Sequence, residues 1–150
     1  MAGKYLWVNL HLVWSTKQRR SLIDRQWRDR LHAYMVSVAQ SRNARIIAAQ
    51  SQPDHIHLYV SLPSTISIAD LVNTTKSNST RWVRQTFSNR RFFGWQDGYA
   101  AFSVSKSIEK TVIEYIRNQD EHHRKRDFQQ EFLELLGRHE IDFDARYIFD

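Results

Sequence analysis

The sequence predicts an α+β fold in which helices pack on an antiparallel sheet. Three observations carry that expectation. Two segments, Tyr5 to Trp14 and His55 to Leu62, alternate their side chains with period two. Others, such as Asp24 to Gln40, repeat apolar residues at helical spacing. Strands and helices follow one another in the order β-α-β-β-α-β, with further helices behind. With 150 residues, 4 Gly and 2 Pro, the chain shows no linker, repeat or low-complexity stretch, so one domain over 1–150 is expected.

The first strand, Tyr5 to Trp14, sets Leu6, Val8, Leu10, Leu12 and Trp14 against Tyr5, Trp7, Asn9, His11 and Val13. Lys17 to Arg20 is a basic loop. Trp27, Leu31, Tyr34, Met35 and Val38 then mark a helix over Asp24 to Gln40. Ala44 to Gln50 is a short second strand, and the brief link through Pro53 argues for a hairpin. The third strand places His55, His57, Tyr59 and Ser61 on one face, with Ile56, Leu58, Val60 and Leu62 on the other. Pro63 to Thr65 ends it, and Ser67 caps a second helix with Asp70 in its first turn. The middle of that helix, Asn73 to Thr80, is poor in helix formers and predicts a break or a loop. Arg90 to Gly98 is an aromatic, basic loop before a fourth strand, Tyr99 to Val104. Ser105 or Ser107 caps a third helix running to about His123, and Phe128 to Leu136 gives a fourth helical segment ending at Gly137. The aromatic, acidic tail from Ile141 to Asp150 is expected to dock on the body or on a neighbouring subunit.

This order is the split βαβ pattern of ferredoxin-like (RRM-like) sandwiches, in which the first and third strands are central. The His pair then lies on a central strand. Helices over the Ile56/Leu58/Val60 face leave the His55/His57 face open for the third helix.

Composition narrows the function classes. Hydrophobic residues at 41% and charged ones at 25% suit a folded, water-soluble chain. No segment is long enough to span a bilayer and no signal-peptide pattern opens the sequence, so a cytoplasmic location without membrane attachment is expected. Cysteine is absent, so a metal must be held by His, carboxylate or amide ligands, which favours Mg²⁺ or Mn²⁺ over structural zinc. Lys and Arg number 22 against 16 Asp and Glu, a net charge of +6 that suits a polyanionic partner. Basic residues cluster at Lys17, Arg19, Arg20, at Arg81, Arg84 and at Arg124, Lys125, with aromatics such as Trp95 between the clusters. That mixture can grip phosphates and stack unpaired bases, although Arg clusters are equally often solvated helix faces. No Walker loop or dinucleotide-binding glycine set is present, and no nucleotide cofactor is expected.

Residues two apart on a strand lie roughly 6.5–7 Å apart, so His55 and His57 can converge on one ion. Tyr115 and Gln119 share a helix face at i, i+4. A phenolate is a competent nucleophile toward a phosphodiester, and a Gln amide oxygen can complete a His₂Gln set. Singly, each has a plainer reading: paired histidines are more often structural, a helical Tyr packs, and a Gln faces solvent. His122-His123 is less promising as a chelating pair, because adjacent helical residues point about 100° apart.

Together these residues resemble a specific family. Pro53-Asp54-His55-Ile56-His57-Leu58 is similar to the His-hydrophobic-His motif of the HUH endonuclease superfamily. Glu114-Tyr115-Ile116-Arg117-Asn118-Gln119-Asp120-Glu121-His122-His123 resembles the catalytic tyrosine helix of its smallest members, the single-strand DNA transposases of compact bacterial insertion sequences. Further matches run from His11-Leu12-Val13-Trp14 through Trp95-Gln96-Asp97-Gly98-Tyr99 to the closing Arg146-Tyr147-Ile148-Phe149-Asp150. Ala49-Gln50-Ser51-Gln52 departs from the pattern, where relatives usually carry glycine.

The resemblance implies that His55, His57 and Gln119 hold Mg²⁺ or Mn²⁺ and that Tyr115 becomes linked to the 5′-phosphate of a cut strand. It further implies a homodimer that recognises single-stranded DNA folded into subterminal hairpins, with Lys17, Arg19, Arg20, Arg81, Arg84, Trp95, Arg124 and Lys125 as candidate DNA contacts. The alternative from another class is a non-catalytic hairpin-binding regulator on the same fold. An RRM-type binder predicts aromatic pairs on the central strands, whereas His55 and His57 stand there with Tyr59 alone.

Overall fold

Residues 3–146 and 148 are described by a computed structural model. Its sheet has four antiparallel strands in the order β2-β3-β1-β4. They are β1 (Asn9–Ser15), β2 (Arg45–Gln52), β3 (His55–Ser61) and β4 (Ala100–Ser103). Helices α1 (Arg28–Gln40) and α2 (Ile68–Thr86) join them in the βαββαβ order, and α3 (Glu109–Arg117), α4 (Gln119–His122) and α5 (Phe128–Arg138) follow. The ferredoxin-like expectation holds, and β1 and β3 are the central strands.

One face of the sheet carries Leu10, Leu12, Trp14, Ile56, Leu58 and Val60 into a core with Leu31 and Met35 of α1 and Leu71, Val72 and Val83 of α2. The β1–β3 register sets His11 opposite Tyr59, Val13 opposite His57 and Ser15 opposite His55 on the other face. There α3 packs Ile116 on Ala48 and Tyr59, and α5 packs Phe128, Phe132, Leu135 and Leu136 on Val13, Ala100 and Phe102. The third helix thus lies on the His face as expected, and α5, which was not expected there, shares that face with it.

Element boundaries differ from expectation for identifiable reasons. Tyr5 to Val8 lie outside β1 and are exposed. The β3 partner ends at Ser61, opposite Asn9, and Pro63 just beyond has no N–H to extend the ladder. Helix α1 starts at Arg28, after a turn in which Trp27 N and Arg28 N both donate to Asp24 O. Strand β2 runs to Gln52, so only Pro53 and Asp54 separate it from His55.

Helix α2 is unbroken across Asn73 to Thr80. Thr75 and Ser79 are buried, with Thr75 Oγ1 donating to Leu71 O and Ser79 Oγ to Lys76 O. Ser79 Oγ also accepts from Trp95 Nε1, so tertiary packing overrides weak helix propensity. The expected third helix is interrupted at Asn118 and resumes as α4. Neither Ser105 nor Ser107 caps α3, which begins after a 3₁₀ turn over Lys106–Ile108. Helix α5 runs through Gly137, and the left-handed residue beyond its end is Glu140 at φ 52°. In the tail, Ile148 packs against the α5 cluster, while Tyr147, Phe149 and Asp150 lie outside the described residues.

Candidate active site

Strand β3 delivers His55 and His57 to the face shared by α3 and α5, and neither side chain is exposed. Each has a partner on its far nitrogen. His55 Nδ1 lies 2.8 Å from Asp54 Oδ1, and His57 Nδ1 lies 2.8 Å from His11 Nε2 of β1. Their Nε2 atoms point at one carboxylate, that of Glu131 on α5, with Oε1 at 3.3 Å from His55 and 2.9 Å from His57. A third imidazole arrives from the end of α4, placing His123 Nε2 at 3.2 Å from the same oxygen. The other carboxylate oxygen, Oε2, accepts a short hydrogen bond from the Tyr115 hydroxyl. Arg126 Nη2 also reaches that hydroxyl at 3.3 Å.

The electrostatics follow from this packing. Burial works against charge on Glu131, but His57, His123 and His55 together hold its carboxyl far below the usual carboxylate range. Burial lowers His57 and, much further, His11. His55 is also disfavoured by burial, yet the Asp54 and Glu131 carboxylates hold it above the ordinary histidine value. Burial first, and the Glu131 carboxylate second, push the Tyr115 phenol well above its ordinary value.

His55, His57, His123 and Glu131 each offer a ligand atom, and these atoms lie within 4.8 Å of one another. His55 Nε2 is fully buried and makes no hydrogen bond, although it faces Glu131. A buried imidazole nitrogen left without a hydrogen-bond partner is costly unless something else uses its lone pair. Three imidazoles and a carboxylate converging on that spot fit a divalent metal ion.

Of the residues expected at the site, His55, His57 and Tyr115 come together. Gln119 is fully buried beside them, but its Oε1 lies 3.0 Å from His123 Nε2, and its Nε2 donates to Tyr115 O at 3.4 Å. His122 and His123 do diverge as expected. His123 enters the cluster, whereas the His122 ring packs against Tyr115 with centroids 4.7 Å apart. Glu131 and His11 escaped sequence reasoning, and His123, set aside there together with His122, belongs to the cluster by itself. Glu131 left a signal, a carboxylate inside the apolar stripe Phe128, Phe132, Leu135 and Leu136 of α5. A cavity of about 310 Å³ adjoins Tyr115 between α3 and α5, lined by His11, Phe102, Val112, Leu135 and His139 among others.

The expected DNA contacts fall on both sides of the sheet. Arg81, Arg84 and Trp95 line a groove of about 840 Å³ along α2, and Lys17 lies beside it, its backbone N donating to Gly94 O. Trp95 is buried, its ring set edge-on to Trp14 and Phe93, so it forms part of the groove floor. Arg84 Nε donates to Phe93 O at 2.7 Å. Arg19 belongs to the 3₁₀ turn after β1, with φ 53°, and Arg20, just beyond it, is exposed. Arg124 and Lys125 lie between α4 and α5, where Arg124 pairs with Glu121 at 3.3 Å.

A four-stranded ferredoxin-like sheet that aims a strand His pair at a helical tyrosine is the architecture of an HUH-type single-tyrosine enzyme. Residues 5–119 match the family described as "Transposase IS200 like", and the chain belongs to that family. It is 26% identical over 114 residues to the ISDra2 transposase TnpA of Deinococcus radiodurans, covering 73% of this chain and 81% of that one. It is 27% identical over 116 residues to the transposase for insertion sequence element IS200 of Salmonella typhimurium, covering 73% and 74%. Among solved structures, a chain described as a transposase from Deinococcus radiodurans R1 superposes with TM-score 0.61 at 25% identity, over 79% of this chain and 97% of that one. A REP-associated tyrosine transposase solved with a REP hairpin shares the fold at TM-score 0.60 and 17% identity, over 82% and 74%. This chain is accordingly an enzyme of DNA transposition, of the class that cuts and transfers DNA strands. Among the described residues, no helix is long and apolar enough to cross a membrane.

Proposed function

We propose that this chain is a metal-dependent single-stranded DNA transposase, acting as one nuclease domain, in which Tyr115 is the nucleophile. The observation that carries this reading is the hydrogen-bonded path from the Tyr115 hydroxyl through Glu131 to His57, with His55 paired to the same carboxylate oxygen at 3.3 Å, all within one chain. The Tyr115 oxygen attacks phosphorus, the bond to the 3′ oxygen breaks, and that oxygen leaves with a proton as a free 3′-OH. The 5′-phosphate remains on Tyr115, which keeps the bond energy for rejoining. In the second step a 3′-OH attacks the phosphotyrosine, seals the strand and restores the phenol, so neither ATP nor added nucleotides are required.

A divalent ion held by the His pair would polarise the scissile phosphate. The chain's own groups do the rest. Asp54 and His11 fix the ring orientation of His55 and His57, as outer partners of ligating histidines commonly do. Glu131 and Arg126 hold the Tyr115 hydroxyl. Hairpin ends of an insertion sequence are the proposed substrate, contacted through backbone phosphates by Lys17, Arg19, Arg20, Arg81, Arg84, Arg124 and Lys125, with Trp95 beneath. A homodimer is the proposed assembly.

The test is covalent capture. The protein is incubated with labelled single-stranded DNA from its own gene flanks and Mn²⁺, denatured, and compared with Tyr115→Phe on a gel. A labelled adduct that disappears in the variant supports the reading. Absence of an adduct with hairpin binding intact favours the non-catalytic regulator, and an adduct that survives the substitution assigns the nucleophile elsewhere.

A further inference from the structure

We infer that the cavity between α3 and α5 is a nucleobase subsite, which receives the base of the nucleotide that Tyr115 retains by its 5′-phosphate. The inference rests on Tyr115 as the nucleophile, as proposed above, and adds where the neighbouring base of the substrate goes.

The cavity, about 310 Å³, shares a wall with the nucleophile, since Tyr115 lines it. From there the lining continues as a row of rings. His11 meets the Tyr115 ring edge-on with centroids 6.1 Å apart, Phe102 follows at 5.9 Å from His11, and His139 stacks on Phe102 at 4.3 Å. His139 Nδ1 donates to Leu135 O at 2.7 Å, which fixes that ring in place. Flat walls suit a flat guest, and every base presents a π-face for stacking. Ligand pockets generally run from roughly 300 to 1,000 Å³, so this one has room for a single base rather than for a pair.

Depth and charge point the same way. Phe102, Val104 and Leu135 are buried, so the floor is apolar. Ser103, Thr111 and Arg138 are exposed, so the polar groups stand at the rim, where sugar and phosphate pass. Arg138 brings a positive charge to that rim, which suits the attached phosphate. Glu131 and the His122 ring also pack on Tyr115, yet neither lines the cavity. The space beside the phenol therefore lies toward His11 and Phe102. A nucleotide bonded to the Tyr115 oxygen through its 5′-phosphate has its own sugar and base next in line for that space, as enzymes acting on unpaired DNA commonly seat a base in a pocket.

The experiment separates the base from the phosphate. Sequencing the DNA linked to Tyr115 first maps the cut. Oligonucleotides then carry an abasic site on the 5′-phosphate side of the cut or, as the control, on the 3′-OH side, and single-turnover adduct formation is followed with each. Expected is a reaction roughly tenfold slower when the retained nucleotide lacks its base, with little change for the control. Thr111→Trp fills the mouth from an exposed position. It should slow intact DNA by a similar factor and abasic DNA no further, because both changes remove the same contact. Hairpin binding and circular dichroism check that this variant is folded. A second measurement needs no cleavage: 2-aminopurine at the retained position should lose fluorescence by stacking when bound to Tyr115→Phe protein, and should keep it when Thr111→Trp is added. Equal rates for abasic and intact DNA, or unquenched 2-aminopurine, overturn the subsite, as does a loss confined to the 3′-OH side. A Thr111→Trp loss that is as large on abasic DNA also overturns it, since the substitution then acts elsewhere. An adduct that survives Tyr115→Phe, or no adduct in wild type, defeats the nucleophile reading itself, and the inference falls with it.

Discussion

A carboxylate with no solvent exposure persists only where partners replace its water, and Glu131 has four: His55, His57, His123 and Tyr115. His32, on α1, shows the opposite arrangement for a buried titratable group. Its Nε2 lies 2.6 Å from Ser51 Oγ, and Asp29 is 3.9 Å from the other nitrogen. Burial dominates and lowers its pKa to about 4. Between pH 4 and the ordinary value of 6.5 the unfolded chain therefore binds more protons than the folded one, and stability rises with pH through that window. The contribution reaches roughly 3 kcal/mol across it. His11 and His57 are lowered as well and act in the same direction, so His32→Gln should flatten the acid limb without removing it. Melting temperatures of both proteins at pH 5 and pH 7 check this; equal losses would mean that His32 is not buried neutral.

At the scale of elements, α4 is short but firmly tied. Asp120 accepts from Arg28 Nη1 and Nη2 at 3.1 and 2.8 Å, from Gln52 Nε2 at 2.6 Å and from Arg25 at 3.2 Å. The Arg28 fork holds the Asp120 carboxyl well below its usual range. This one side chain fastens the Tyr115–His123 segment to α1 and the end of β2. Asp120→Ala should cost about 1–3 kcal/mol and should reduce adduct formation more than Glu121→Ala, whose carboxylate is exposed. Urea melts and the capture gel read the two effects, and equal behaviour of the variants would rule out a latch. Helix α5 depends on its apolar stripe and on its cap, so Asp127→Ala should cost about 1 kcal/mol. Helix α2 teaches the converse lesson. Thr75 and Ser79 read as helix breakers in isolation, but once buried they satisfy their hydroxyls on the turn below and support Trp95.

For the whole molecule, the consequence is that one chain contains every group of the cluster. The Tyr115 ring lies 5.9 Å from the His57 ring of its own chain. Mixing Tyr115→Phe with His57→Ala protein should therefore leave adduct formation absent. Recovery in the mixture would show that the tyrosine of one subunit serves the histidines of another. The net charge of +6, spread over both sides of the sheet, also predicts hairpin affinity that falls linearly on a log–log plot against salt.

What the sequence determined by itself is local and periodic. Alternation placed His55 and His57 on one face of β3, with Ile56, Leu58 and Val60 on the other. Helical spacing set Tyr115 on α3, and the order of elements led to the ferredoxin-like sheet. Only the tertiary structure decided what meets the His pair. Glu131 stands 74 residues from His57, and His11 stands 46 residues away on another strand. Their approach depends on strand register and on α5 crossing the sheet, neither of which leaves a period in the sequence. The same holds for Gln119 and His123. The one-residue interruption at Asn118 aims His123 at Glu131 and leaves Gln119 behind it, because a side chain's direction depends on the backbone beneath it, whereas spacing assumes an unbroken helix.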